Sequence, residues 1–217
     1  MRRLLLASSG LEYIKTFVYR DPASMQMLFI PTAGNLDKDT WWIDKDRDVL
    51  SKMGFHIIDT DIETASKKDL IENLERADIV YVAGGNTFHL LKIIRETGFD
   101  ELLTEFVDSL GLYAGASAGA LVAGVDISPI ASIDEPEKVQ GLESTKGLGF
   151  VDIVPVPHYN MADRSEAIDD IQRKYKNDYE IVLITDDQAI VVEGDEWKVV
   201  DSPRNDLEHE WFTKNHV

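Results

Sequence analysis

The chain has 217 residues, 44% hydrophobic and 29% charged, which is the composition of a soluble globular domain able to bury a core without covalent staples. Its 22 Lys and Arg stand against 40 Asp and Glu, and a net charge of −18 argues against nucleic acid or an anionic membrane as partner, since both would be repelled. The absence of cysteine excludes disulfides, thiolate metal sites and a cysteine nucleophile.

Residues 4–7 form a short apolar run closed by Ser8-Ser9-Gly10, which predicts a central strand and a turn. That run is too short for the apolar core of a secretory signal, and no stretch approaches the roughly 20 apolar residues of a membrane span, so a cytoplasmic location is expected. Residues 11–19 have helical spacing, with Leu11, Ile14 and Val18 on one face. Residues 27–30 are a second strand, closed by Pro31 and Gly34. Residues 39–53 read as a helix with Trp42, Val49, Leu50 and Met53 inward and Gly54 as its stop, and residues 55–58 as a third strand. Ser66 and Asp69 form a capping-box pattern before a helix carrying Leu70, Ile71 and Leu74. A fourth strand, 79–83, is followed by Gly84-Gly85-Asn86-Thr87, then by two helices, the second over 99–109.

Residues 112–114 feed Gly115-Ala116-Ser117-Ala118-Gly119, a Gly-x-Ser-x-Gly pattern at a strand-to-helix junction. Beyond it, residues 126–149 read as long loops with one short strand, lying across the top of the site. Residues 153–156 are a strand ending in Pro157-His158-Tyr159-Asn160, residues 163–175 a helix, and residues 181–184 a strand ending in Thr185-Asp186-Asp187. Residues 189–192 and 197–200 form a C-terminal β-hairpin through Glu193-Gly194-Asp195-Glu196. The polar tail after Pro203 is expected to pack loosely. Strands alternating with helices predict an α/β fold, a mostly parallel sheet flanked by helices, in a single domain over 1–217.

Ligands of such sheets bind outside the carboxyl ends of the strands, so Gly84-Gly85-Asn86 and Ser117 should line one crevice, with Asn86 a candidate substrate contact. Ser117 is the candidate nucleophile and needs a base. Of the five histidines, His56 lies within a strand, His89 on a helix face, and His209 and His216 in the tail. His158 alone follows a buried run at a strand's carboxyl end, and is the candidate base. The orienting carboxylate is Asp134, in the loop between Ser117 and His158, or Asp187, beside Asp186, after the next strand; sequence does not choose between them. The amides of Ala118 and Gly85 are the candidate oxyanion donors. The glycine pair lacks the spacing of a phosphate-binding loop. With no thiolates and no His-x-x-x-His pair, neither metal nor cofactor is expected.

The segments Phe29-Ile30-Pro31-Thr32-Ala33-Gly34, Val82-Ala83-Gly84-Gly85-Asn86-Thr87-Phe88, Gly115-Ala116-Ser117-Ala118-Gly119-Ala120 and Pro157-His158-Tyr159 together resemble the S51 peptidases, the family of dipeptidase E (α-aspartyl dipeptidase) and the related cyanophycinases. The resemblance implies a glutamine-amidotransferase-like (flavodoxin-like) fold, with Ser117 as nucleophile, His158 as base and the Gly85 and Ala118 amides as oxyanion hole. Asp134 and Asp187 both have acidic counterparts in the family. It further implies a small peptide substrate with N-terminal Asp, and Arg164 as the matching substrate-binding arginine. Ala116 and Leu121 depart from the family's frequent Gly-Trp-Ser-Ala-Gly-Ala-Asn. A monomer or homodimer is expected. The rival readings are an α/β-hydrolase esterase, whose nucleophile–acid–His order would require Asp134 and whose HGGG motif is missing, and a non-catalytic ligand-binding member of the fold.

Overall fold

A computed structural model describes residues 1–215; His216 lies outside the described residues. Five parallel strands form its frame: β1 (Arg3–Ala7), β2 (Gln26–Ile30), β3 (His56–Asp59), β4 (Ile79–Val82) and β5 (Leu112–Ala116). Two further strands, β6 (Val154–Val156) and β7 (Ile181–Leu183), pair in parallel in a small sheet of their own. The hairpin β8 (Gln188–Glu193) and β9 (Glu196–Asp201) joins the main sheet antiparallel to β1, giving the order β3-β2-β4-β5-β1-β8-β9.

The continuous apolar runs of β1, β2 and β4 follow from burial on both faces, as expected of central parallel strands. Alternation splits each run in two. Leu4, Leu6, Leu28, Ile30, Val80 and Val82 belong to one core, and Leu5, Ala7, Met27, Phe29, Ile79 and Tyr81 to the other. On the second of these faces lie α1 (Ile14–Val18) and α2 (Trp41–Lys52), through Ile14, Phe17, Val18, Ile43, Val49 and Leu50. The first is covered by α3 (Lys67–Arg76), α4 (Thr87–Glu96), α5 (Phe99–Asp108) and the short α6 (Ala118–Val122). Ser66 caps α3 as its spacing predicts, its Oγ accepting the Asp69 N–H at 3.2 Å. On the small sheet's side, α7 (Ser165–Tyr175) buries Ile168 and Ile171.

Three expectations are corrected. Residues 126–149 hold two 3₁₀ turns, and the expected short strand is reduced to a single bridge between Asp126 and Lys146. The strands preceding His158 and Asp186 belong to the small sheet rather than the main one. Last, the tail does not pack loosely. It forms α8 (Asp206–Asn215), with Trp211 packed into the second core and Glu208 fully buried. Asn205 and Glu208 make a reciprocal capping box: Asn205 Oδ1 accepts the Glu208 N–H and Glu208 Oε2 accepts the Asn205 N–H, each at 3.0 Å. No helix among the described residues is long and apolar enough to cross a membrane.

Candidate active site

Strand register decides what can meet. Ala7 lies opposite Ala116, and Val82 opposite Gly115, so β1, β4 and β5 end at one level. The residues that follow them, Ser8, Gly84-Gly85 and Ser117, therefore emerge together at the carboxyl edge of the sheet and line a cleft of about 520 Å³. That volume suits a small molecule or a short peptide.

Ser117 sits between β5 and α6 at φ 50° and ψ −109°, a conformation that costs a non-glycine residue of order 1–3 kcal/mol. The surrounding backbone holds it there: its N–H donates to the Ala7 carbonyl at 3.0 Å, and its own carbonyl accepts from Ala120 and Leu121. Both glycines of the motif are required by close approach. A β-carbon on Gly115 would stand 2.4 Å from the Gly119 backbone, and one on Gly119 would stand 2.2 Å from the Val82 carbonyl oxygen. Ser117 is half-buried, and its Oγ lies 2.9 Å from His158 Nε2.

His158 follows β6 and takes φ 65°, again left-handed. Its Nδ1 lies 2.6 Å from Asp186 Oδ1. The carboxylate paired with the imidazole is thus Asp186, and neither of the two expected from sequence. Asp186 is clamped by its backbone: its N–H donates to Asn160 Oδ1 at 2.9 Å and its carbonyl accepts the Gly10 N–H at 3.0 Å. Asp186 and Asp187 lie in a turn closed by the Gln188 N–H on the Thr185 carbonyl at 2.9 Å, and Asp187 is turned out to solvent. Asp134 turns toward α4 instead, where it accepts the Thr87 N–H at 2.7 Å and the Glu135 N–H at 3.1 Å. Burial raises the Asp134 carboxyl above its ordinary range, opposed by these bonds and by the nearby Arg164 charge. Asp186 shifts the other way, lowered first by its bond to His158 and further by the charges of His158 and Arg204, against a cost of burial. A serine hydroxyl bonded to an imidazole that is itself bonded to a carboxylate can pass its proton on as it attacks a carbonyl.

The other predicted residues divide. Gly85 lines the cleft at φ 147°, and a β-carbon there would meet the Ala33 carbonyl oxygen at 2.2 Å, so only glycine fits. Trp42 pins this loop, its Nε1–H donating to the Gly84 carbonyl at 3.1 Å. The N–H groups of Gly85 and Ala118 donate no hydrogen bond among the described residues. Asn86 also borders the cleft, but its polar atoms are committed elsewhere: Oδ1 caps α4 by accepting the His89 N–H, and Nδ2 donates to the Glu135 carbonyl. It therefore braces α4 against the loop. Arg164 lines the cleft beside Asp134. Of the remaining histidines, His89 is buried with Nε2 3.2 Å from Glu63, and His56 bonds the Ala23 carbonyl.

Several cleft residues escaped the sequence reading. Arg204 reaches the cleft with its guanidinium 4.8 Å from the Phe212 ring centre; a single arginine in a polar tail carries no local signal. Lys45 and Asp46 border the cleft from α2, where Lys45 Nζ pairs with Asp46 at 2.9 Å and with Glu208 at 3.0 Å. Leu121, Ile130 and Ile133 add apolar lining. Among the described residues, no three His, Asp or Glu side chains converge in a way that could hold a metal ion.

Comparison with known proteins identifies the family. The family model described as Peptidase family S51 matches residues 4–200, a span that contains Ser117, His158 and Asp186. An uncharacterized peptidase of Listeria innocua is 31% identical over 199 residues, covering 90% of this chain and 95% of the relative. A Peptidase E of Salmonella heidelberg is 38% identical over 96 residues, 44% of this chain and 40% of the relative. Among solved structures, a candidate Peptidase E protein from Listeria monocytogenes EGD-e superposes with a TM-score of 0.85 at 31% identity, covering 93% of this chain and 98% of the other. A peptidase from an acI-B1 actinobacterium, at 21% identity and a TM-score of 0.72, shares the fold over 93% of this chain and 88% of its own. The chain belongs to peptidase family S51.

Proposed function

We propose that the protein is a serine-type peptidase that hydrolyses small peptides, preferring dipeptides with N-terminal Asp, through an acyl-enzyme. The observation that carries this reading is the unbroken chain from Ser117 Oγ to His158 Nε2, at 2.9 Å, and from His158 Nδ1 to Asp186, at 2.6 Å. Ser117 Oγ attacks the scissile carbonyl while His158 takes its proton, and Asp186 stabilises the imidazolium that forms. The Gly85 and Ala118 amides, free of other partners among the described residues, receive the oxyanion. Collapse of the tetrahedral intermediate breaks the C–N bond, and His158 gives its proton to the departing amine. Water, deprotonated by the same imidazole, then attacks the ester and releases Ser117.

The cleft is lined by Asp37, Asp46, Asp134, Glu135 and Asp186 as well as by cations, and the guanidinium groups of Arg164 and Arg204 are its local points of attraction for an acidic side chain on the substrate. The order Ser117, His158, Asp186 argues against the α/β-hydrolase esterase, in which the acid precedes the histidine. The test compares wild type with Ser117→Ala on Asp-X and Ala-X dipeptides and on p-nitrophenyl esters, with fluorophosphonate labelling followed by mass spectrometry. Expected are turnover of Asp-X over Ala-X and a single adduct on Ser117, both lost in the variant. Turnover that survives in Ser117→Ala would sink the mechanism, and turnover of esters alone would sink the substrate.

A further inference from the structure

Ser8 is the first residue after β1, and no more than 1% of its surface is exposed. Its N–H donates to the Gln188 carbonyl at 3.2 Å, which fixes it to the main sheet. Its hydroxyl reaches the segments that follow the two strands of the small sheet. Ser8 Oγ accepts the backbone N–H of His158 at 2.9 Å and donates to Asp186 Oδ1 at 3.1 Å, the same oxygen that faces His158 Nδ1.

The single proton of the Ser8 hydroxyl gives these contacts a direction. With that proton on Asp186, the oxygen can accept from the His158 backbone but has nothing to donate to Nδ1, 3.4 Å away. Nδ1 must then carry its own proton toward Asp186, leaving the Nε2 lone pair to face Ser117. The backbone contact matters as much. His158 stands at φ 65°, a conformation that costs an L-residue about 1–2 kcal/mol. The hydrogen bond from its N–H to Ser8 Oγ opposes relaxation to the extended region, which would swing the ring away from Ser117.

We propose that Ser8 is a positioning residue of the catalytic array, holding His158 and Asp186 as one unit, in one tautomer, at hydrogen-bonding distance from Ser117. This rests on the reading of Ser117 and His158 as nucleophile and base. Asp186 would also lose a donor to its charged form if the hydroxyl were removed.

The test uses Ser8→Ala, which deletes the hydroxyl, and Ser8→Cys, which keeps the side chain's shape with a weaker donor and acceptor. Three quantities are read in each: kcat and KM on an Asp-X dipeptide across pH, the rate of fluorophosphonate labelling at Ser117, and the low-field NMR resonance of the His158 Nδ1 proton. In Ser8→Ala, kcat falls by roughly 30- to 100-fold, the scale of a misplacement of about 1 Å, while KM stays within about threefold. Labelling slows in parallel, the acidic limb of the kcat/KM profile moves to higher pH, and the low-field proton shifts or broadens. Ser8→Cys falls between wild type and Ala, and alone decides the question if Ala does not fold. A kcat within twofold of wild type, a rise in KM alone, or an unchanged low-field resonance overturns the proposal. Should the wild type cleave no dipeptide, the substrate assignment fails, and the labelling rate with the resonance still decides the role of Ser8.

Discussion

His158 and Lys45 border the same cleft and each is held by carboxylates, yet their surroundings are opposite in kind. Around Lys45 everything is closed. Lys45, Asp46 and Glu208 side chains are at most 6% exposed, and the Tyr81 hydroxyl donates to Asp46 Oδ2 at 2.6 Å. Glu208 accepts the Leu11 and Asn205 amides through one oxygen and pairs with Lys45 through the other. Burial alone would lower the Lys45 ammonium, but Asp46 and Glu208 outweigh it and hold it above its ordinary value. Tyr81 is pushed far upward, first by burial and then by Asp46, and so stays a neutral donor. The His158–Asp186 pair is 16% and 21% exposed, and both His158 and Ser117 sit in left-handed backbone. A buried, ion-paired cluster cannot change its protonation without great cost, whereas half-open groups on strained backbone can exchange partners during a reaction. The first cluster holds α2, α8 and the loop after β1 together, and the second is where chemistry can happen.

That contrast can be broken at either end. Asp186→Asn attacks the open cluster and is expected to lower kcat by roughly 10³- to 10⁴-fold by disturbing the imidazole tautomer, with a melting temperature close to wild type. Lys45→Met does the reverse. It leaves two buried carboxylates uncompensated and is expected to cost about 3–5 kcal/mol of stability, a fall in Tm of the order of 10 °C, while correctly folded protein keeps most of its kcat. Differential scanning calorimetry beside steady-state kinetics on both variants checks the pair; a Lys45→Met that melts like wild type would erase the distinction.

A smaller effect follows from acid. His158 holds the Asp186 carboxyl below its value of about 3.9 in an unfolded chain, so this group contributes stability above that pH. The contribution is lost as pH falls from about 4 through the lower folded pKa. Urea midpoints measured between pH 6 and pH 2.5 should therefore converge for wild type and Asp186→Asn at the acid end. The smallest effect is expected for Asp187→Asn, whose side chain faces solvent: kcat and Tm both within experimental reach of wild type, and kcat changed by less than about twofold.

Much of this was readable from residue order because it rests on local rules. Apolar runs closed by glycine or proline mark the strands, and the Gly-x-Ser-x-Gly junction marks Ser117, since close backbone approach admits only glycine at Gly115 and Gly119. His158 was found by its place after a buried run. The carboxylate was missed by one position, because which of Asp186 and Asp187 turns inward depends on the clamp from Asn160 and Gly10, both distant in sequence. Asp134 was misdirected for a related reason: the N-terminus of α4, a site that attracts anions, captures it. By contrast, α8 did carry a local signal. Asn205 and Glu208 have the spacing of a capping box, and the polar composition of the tail hid it. The Lys45 cluster had none, since its partners are 163 residues apart.

The division of the strands into two sheets has a consequence for how the site could fail. Ser117 is carried by one sheet, while His158 and Asp186 are carried by the other and travel as a pair. The seam of the molecule thus crosses the site, bridged by the 2.9 Å contact between Ser117 Oγ and His158 Nε2 and by the bonds of Ser8 and Gly10 to His158 and Asp186. Damage that lets the two sheets slip leaves the imidazole still married to its carboxylate and the serine still poised on its turn. Such a protein would look intact on each side of the seam and be silent across it.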